Sequence, residues 1–260
     1  AAQLALASAN PGDPAAPSLR DLHWSAARCH LALGQIESGI ASLREAMANG
    51  PAGSTDAPPA LHIELAEAYN RAGRHGQALQ TYRAALAAAT PSDGAPTPDE
   101  IPLLCGLART AALSGDRTLA LDVGWRALSL LPDQPPQLAR AELLADLAGY
   151  QLADGQTEAA AATRLQALET LQAAVRAELQ SSNAKVQTSN FKPARAASLF
   201  ARFAEEAGSL GPASSPLDLL RAAVALTPDD PALNRALGHA LARASVQNRA
   251  DYRAARAASV

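Results

Sequence analysis

Cys29 and His30 are adjacent, and His23 lies six residues upstream. Thiol and imidazole groups bind zinc and make nucleophile–base couples, so this stretch is the first place to look for chemistry. Neighbouring residues on a helix point about 100° apart, however, and the trio does not converge on one point. Trp24 and Arg28, in the same stretch, are of the types enriched where proteins bind one another. Trp24 is equally suited to packing against a preceding helix. Elsewhere there is no P-loop, GxGxxG, GxSxG, HExxH or CxxC, and no carboxylate pair that sequence places at catalytic separation. The chain reads as a recognition protein and not an enzyme, with no cofactor and no metal.

Composition fixes what must position these residues. Of 260 residues, 65 are alanine, aromatics are 3% and charged residues 18%. Ala is the best helix former and lets backbones approach closely, so an all-α fold of tightly packed helices is expected. The net charge of −3 argues against general binding to nucleic acid or a membrane surface. It is uneven: residues 185–260 carry ten Lys/Arg and six Asp/Glu, net +4, leaving twelve against nineteen, net −7, for residues 1–184. Such asymmetry can orient a partner or be a solvated surface without consequence. No apolar run reaches the ~18 residues of a membrane span, so no membrane insertion is expected. Two distant cysteines imply no disulfide framework and favour a cytoplasmic, reducing compartment over a periplasmic one.

The chain repeats itself. Measured from Gly73, small residues stand at −7, +5 and +12: Ala66, Ala78 and Ala85. The same ruler on Gly34 finds Ala27, Gly39 and Ala46; on Gly115, Ala108, Ala120 and Ala127; on Gly155, Ala148, Ala160 and Ala167. On Gly211 it finds Ala204, Pro216 and Ala223, and on Ser245, Gly238, Ala250 and Ala257. Small residues at fixed intervals are what helix crossings need. Each copy is therefore expected to be two helices, A and B, around a turn at the anchor residue. Thr97-Pro98-Asp99-Glu100, Ser215-Pro216 and Asp230-Pro231 read as helix starts. Polar Pro/Gly/Ser stretches join the repeats, and the fourth helix B runs on to about Gln180 with Leu165, Leu168, Leu171, Val175 and Leu179 on one stripe.

The pattern resembles the tetratricopeptide repeat, best in the second copy: Leu65, Ala66, Tyr69, Ala78, Tyr82 and Ala85, closed by Thr90-Pro91. The large slot of helix B reads Leu43, Tyr82, Gly124, Arg164, Leu220 and Ala254, with Trp125 beside Gly124 expected to fill the third copy's gap. His23 and His62 share a slot that the family fills with a packing residue. The resemblance implies a right-handed α-α superhelix of about six helix-turn-helix repeats. Residues 1–19 would be the tail of a preceding repeat with a linker, 20–180 repeats 1–4, 181–193 a flexible polar loop, hinge or binding loop, and 194–260 repeats 5–6. The ends look cut from a longer chain, so other domains of that chain are expected partners.

The resemblance also implies a function: a non-enzymatic scaffold binding a protein or peptide in the concave groove lined by the A helices, and no nucleic acid. Groove positions give Trp24, Arg28 and Leu31; Ile63, Glu67 and Asn70, with Arg71 next; Cys105, Arg109 and Ala112; Ala145, Gly149 and Leu152; then Glu205 and His239, with Arg235 and Arg243 close by. Arg28, Glu67 and Arg109 would form an alternating polar floor. Relatives that clamp a chaperone's terminal carboxylate place Lys, Asn and Arg where this chain has Trp24, Arg28, Glu64, Pro102 and Gly106, so that ligand is not expected. The alternatives are a periplasmic scaffold similar to those of exopolysaccharide export, and the regulatory arm of a larger signalling enzyme or transcription activator.

Overall fold

Four glycines set the local architecture. Gly34, Gly73, Gly115 and Gly155 have φ of 74°, 73°, 85° and 83°, a left-handed conformation that costs an L residue free energy and glycine almost none. Each closes a helix with the same pair of bonds. Gln35, Arg74, Asp116 and Gln156 donate their backbone N–H to the carbonyls of His30, Tyr69, Ala111 and Gln151, and the glycine N–H bonds the carbonyl three residues back. This is the Schellman geometry, which satisfies carbonyls that a helix end leaves without partners. The chain then enters the next helix one or two residues on, making a helical hairpin.

The computed structural model describes residues 18–49, 57–89, 97, 100–131, 137–182, 192–206 and 215–258, the side chains of 179–182 and 246–258 excepted. Among these are eleven helices and no strand. They are α1 (Leu19–Ala32), α2 (Ile36–Ala48), α3 (Pro59–Arg71), α4 (His75–Ala89), α5 (Glu100–Ser114), α6 (Arg117–Leu130), α7 (Leu138–Ala153), α8 (Thr157–Ser182), α9 (Pro193–Glu205), α10 (Pro216–Leu226) and α11 (Pro231–Ala258). Residues 1–17 of the expected N-terminal tail, residues 183–191 of the polar loop, the turn expected at Gly211, and the connectors at 50–56, 90–96 and 132–136 lie outside the described residues.

Two compact units result, Ala1–Pro132 and Asp133–Val260. Unit 1 holds the hairpins α1/α2, α3/α4 and α5/α6, with α4 also packed on α5. Unit 2 holds the hairpins α7/α8 and α9/α10, followed by α11 against α10. The small residues of the repeat are the crossing points: Ala27, Ala66, Ala108 and Ala148 on the A helices, and Ala46, Ala127, Ala167 and Ala223 on the B helices, have no exposed surface. Helix starts follow local chemistry. The Ser18 hydroxyl accepts from the Asp21 N–H, while Asp21 Oδ2 accepts from the Ser18 N–H. Glu100 accepts from the Thr97 N–H, and Asp230 from the N–H groups of Ala232 and Leu233.

Three expectations are corrected. The turn at Ser245 does not form: α11 runs unbroken for 28 residues. Its hydroxyl donates to the Ala242 carbonyl inside the helix, and without glycine nothing favours the left-handed residue on which the other turns depend. Trp125 does not fill the gap beside Gly124; it stays on the surface, 41% exposed. Leu168 and Leu171 of the expected stripe of α8 are buried, but Leu165 is 40% exposed, because the buried side also takes in Ala160, Arg164, Ala167 and Ala174. Arginine thus stands in the core slot that Tyr82 fills in unit 1.

Candidate functional site

In unit 1, α1 and α3 bring their outward positions together around one carboxylate. Trp24 Nε1 donates to Glu64 Oε2 at 2.8 Å, and Arg28 donates to Glu64 Oε1 from Nε at 3.0 Å and from Nη2 at 2.6 Å. The Arg28 guanidinium also lies 4.8 Å from the centroid of the Trp24 ring, within cation–π range. Hydrogen bonding to Glu64 holds the Arg28 pKa above its ordinary value. Three side chains that would be separately mobile on an exposed surface thus fix one another.

Beside them lies a cavity of about 310 Å³ whose walls include Arg28, Leu31, Glu64, Glu67, Ala68 and Arg71. Glu67 and Arg71 remain exposed and form no ion pair with each other. Arg28 pairs with Glu64, a residue outside the expected Arg28, Glu67 and Arg109 floor, while Glu67 and Arg109 stay exposed and both act on Tyr82. Asn70, also expected to face a ligand, donates to Thr110 Oγ1 at 2.7 Å, and its Oδ1 lies 3.1 Å from His75 Nδ1. It ties α3 to α5. Arg109 is exposed on α5, near enough to Tyr82 for its charge to be felt there.

The nine expected site residues divide between the units, with Glu205, His239 and Arg243 in unit 2. Those three line one groove among α9, α10 and α11, of about 1240 Å³. Of the other groove positions in unit 2, Ala145 is buried, and Arg202 donates from Nη2 to its carbonyl at 3.0 Å. The same Nη2 would lie 3.5 Å from a Cβ at Gly149, so Arg202 covers both positions. Arg202 also bonds Asp146 Oδ1 at 2.8 Å and Glu206 Oε1 at 3.4 Å, and Glu206 Oε2 pairs with Arg164 Nε at 3.0 Å. Burial works to lower the Arg202 pKa, and the bonds to Asp146 and Glu206 outweigh it, so the net direction is up.

Sequence reasoning placed Glu64 only as a departure from the carboxylate clamp and missed it as the centre of the triad. The signal was present: Glu64 follows Trp24 and Arg28 by 40 and 36 residues, against a repeat spacing of 39. Consecutive A helices set such positions side by side. Around Cys29, His30 Nδ1 is within 2.7 Å of Gln35 Oε1. No group of three or more His, Cys, Asp or Glu suited to a metal occurs among the described residues. His62 is buried in the packing slot, and burial lowers its pKa.

Residues 57–133 match the family model described as tetratricopeptide repeat. None of the curated proteins matches the chain in sequence. Among solved structures, a thermophilic tetratricopeptide-repeat protein of Thermus thermophilus aligns over 85% of this chain and 98% of its own, with 16% identity and a TM-score of 0.54. BtubC (BKLC) from P. vanneervenii aligns over 84% of this chain and 80% of its own, at 16% identity and 0.54. A Podosopora anserina chain of nearly identical TPR-like repeats covers 78% and 92%, at 20% identity and 0.51. At such identities the likeness concerns the fold, which is all-α and of the tetratricopeptide-repeat solenoid kind. No described helix is long and apolar enough to cross a membrane. Proteins of this kind are generally non-catalytic scaffolds that bind proteins or peptides. Residues 57–133 are thus tetratricopeptide-repeat in sequence, and the fold of the chain is that of tetratricopeptide-repeat solenoids.

Proposed function

We propose that unit 1 binds a peptide segment of a protein partner in the cavity beside the Trp24–Arg28–Glu64 triad. The observation that carries this reading is the pairing of a fixed wall with a charged, open rim. Trp24, Arg28 and Glu64 hold one another in place, so little side-chain freedom remains to be lost when a ligand arrives. Leu31, Ala32 and Ala68 supply the apolar part of the lining, while Glu67 and Arg71 present a carboxylate and a guanidinium four residues apart on α3. A segment with one apolar side chain flanked by charges of both signs fits that layout. Its recognition needs no covalent step.

Peptide arrays probed with the wild-type chain, with Glu67→Ala/Arg71→Ala and with Arg83→Ala on the exposed side of α4 test this directly. Circular dichroism first establishes that all three are equally folded. Peptides captured by wild type and by Arg83→Ala but lost by the double variant support the reading. Capture of the same peptides by all three removes this cavity as the site.

A further inference from the structure

We infer that unit 2 carries a second docking surface, built for an acidic amphipathic helix of another protein. Its ligand chemistry differs from that of the cavity in unit 1, and it does not rest on that reading. The groove among α9, α10 and α11 is about 1240 Å³, above the roughly 300–1000 Å³ of small-molecule sites. It lies beside α10, which packs on both α9 and α11.

Seven alanines and three leucines are among its fifteen lining residues, Leu217, Leu220, Leu233, Ala236 and Ala240 among them. A floor of methyl groups lets the backbone of an incoming helix, roughly 10–12 Å across with its side chains, approach closely. Apolar anchors one turn apart would occupy it, as in other helix-in-groove complexes.

Charge selects the sign of the partner. From Pro231 to Ser245, α11 carries Arg235, His239 and Arg243 and no carboxylate. His239 and Arg243 line the groove, and neither has an ion pair among the described residues. Glu205 on α9 is the one acidic lining residue. Residues 185–260 as a whole are net +4. An acidic face therefore meets attraction along the α11 rim, while the apolar floor gives a nucleic-acid backbone nothing to bond.

Selection of displayed 18-residue peptides against the full chain provides the test. The expected binders carry Leu at i, i+3/i+4 and i+7 with an excess of Asp and Glu. Arg243→Glu should weaken them about tenfold or more and should strengthen Lys-substituted versions of the same peptides. Ala240→Trp, which fills the groove, should abolish binding, and alanine methyl resonances of α11 should shift on titration. Arg243 is exposed, so its variant keeps the test valid even if Ala240→Trp unfolds unit 2. Failure to select any binder, binders without acidic excess, or indifference to Arg243→Glu overturns the inference. So does loss of binding in Glu67→Ala/Arg71→Ala, which would place the peptide in unit 1. A dimer of the chain that Ala240→Trp makes monomeric would also overturn it, since a second copy would then be the occupant.

Discussion

Tyr82 in unit 1 and Arg164 in unit 2 occupy the same slot of the repeat and solve it in opposite ways. Tyr82 is 1% exposed and lies so close to α5 that a Cβ at Gly106 would stand 2.4 Å from its ring. Burial, with the nearby Glu67 carboxylate adding to it, pushes the Tyr82 phenol pKa well above its ordinary value. Arg164 is 6% exposed and meets Glu206, which in turn bonds Arg202, itself tied to Asp146 on α7. Arg195 and Glu142 pair across the same two helices, α9 and α7. The slot thus demands volume and a partner that fits it, and apolarity is one way to supply them. The apolar solution stabilises through area removed from water and tight contact; the ionic one must offset the cost of desolvating two charges.

The largest effect expected from breaking this comparison is on the apolar side. Tyr82→Ala should cost about 3–5 kcal/mol, as for other large aromatics deleted from cores. Gly106→Leu, which drives a side chain into that ring, should cost about 1–3 kcal/mol or more. Trp24 and Trp125 are the chain's two tryptophans and both lie in unit 1, so denaturant unfolding followed by tryptophan fluorescence reads this unit. A loss below about 1 kcal/mol for either variant would show that the ring against Gly106 does not hold α4 to α5.

The ionic side predicts an asymmetry that the apolar side lacks. Glu206→Ala removes the carboxylate that meets the buried Arg164 charge, at about 2–3 kcal/mol. This is below the ~3–5 kcal/mol of a fully buried pair, because the Glu206 side chain keeps 29% of its surface. Arg164→Met removes the charge with its partner left at the edge, and should change stability by less than about 1 kcal/mol in either direction. Far-UV circular dichroism follows unit 2 as well as unit 1. Equal losses in the two variants would mean that the ion pair itself is net stabilising and that an uncompensated charge is not what costs stability.

The hairpins were legible in the sequence because their cause is local and repeated. A glycine at each of Gly34, Gly73, Gly115 and Gly155 is required by a positive φ, and alanines at fixed intervals are required by the crossings. Where that cause weakened, reading weakened with it. Ser245 has the right spacing without glycine's freedom, and the helix ran on. Trp125 is large and aromatic, but its position on α6 points away from the gap one residue earlier, since adjacent residues are about 100° apart. The triad was half legible. Trp24 and Arg28 stood out by type, whereas Glu64 matters only because α1 and α3 lie side by side. The groove of unit 2 needed α9, α10 and α11 to meet around one space, which no residue type announces.

A smaller effect is expected from His62, the buried titratable group of unit 1 that no described hydrogen bond reaches at Nδ1. Burial lowers its folded-state pKa below the unfolded value near 6.5. Its neutral form therefore contributes stability above about pH 6.5, and that contribution is lost as pH falls through the folded value, when the buried ring takes up a proton. One group can change stability by at most about 1.4 kcal/mol per pH unit. His62→Leu should flatten the acid limb of the unit 1 unfolding profile measured by tryptophan fluorescence. An unchanged limb would assign it to carboxylates instead.

The smallest effect on stability belongs to Glu64, and it sharpens the contrast between a fixing network and a recognising one. Arg28 keeps 62% of its side chain exposed and Glu64 keeps 24%, so solvent screens most of their attraction. Glu64→Gln should cost less than about 1 kcal/mol, against the larger loss from Glu206→Ala. Glutamine is nearly the same shape and can still accept from Trp24 Nε1, but it no longer neutralises Arg28. The guanidinium over the Trp24 ring would then be free to meet a carboxylate from outside. Peptides captured by the variant should carry more Asp and Glu than those captured by wild type, with the unfolding midpoint nearly unchanged. Capture of the same peptides would mean that Glu64 only fastens α1 to α3, a role like that of Glu206 at the edge of unit 2.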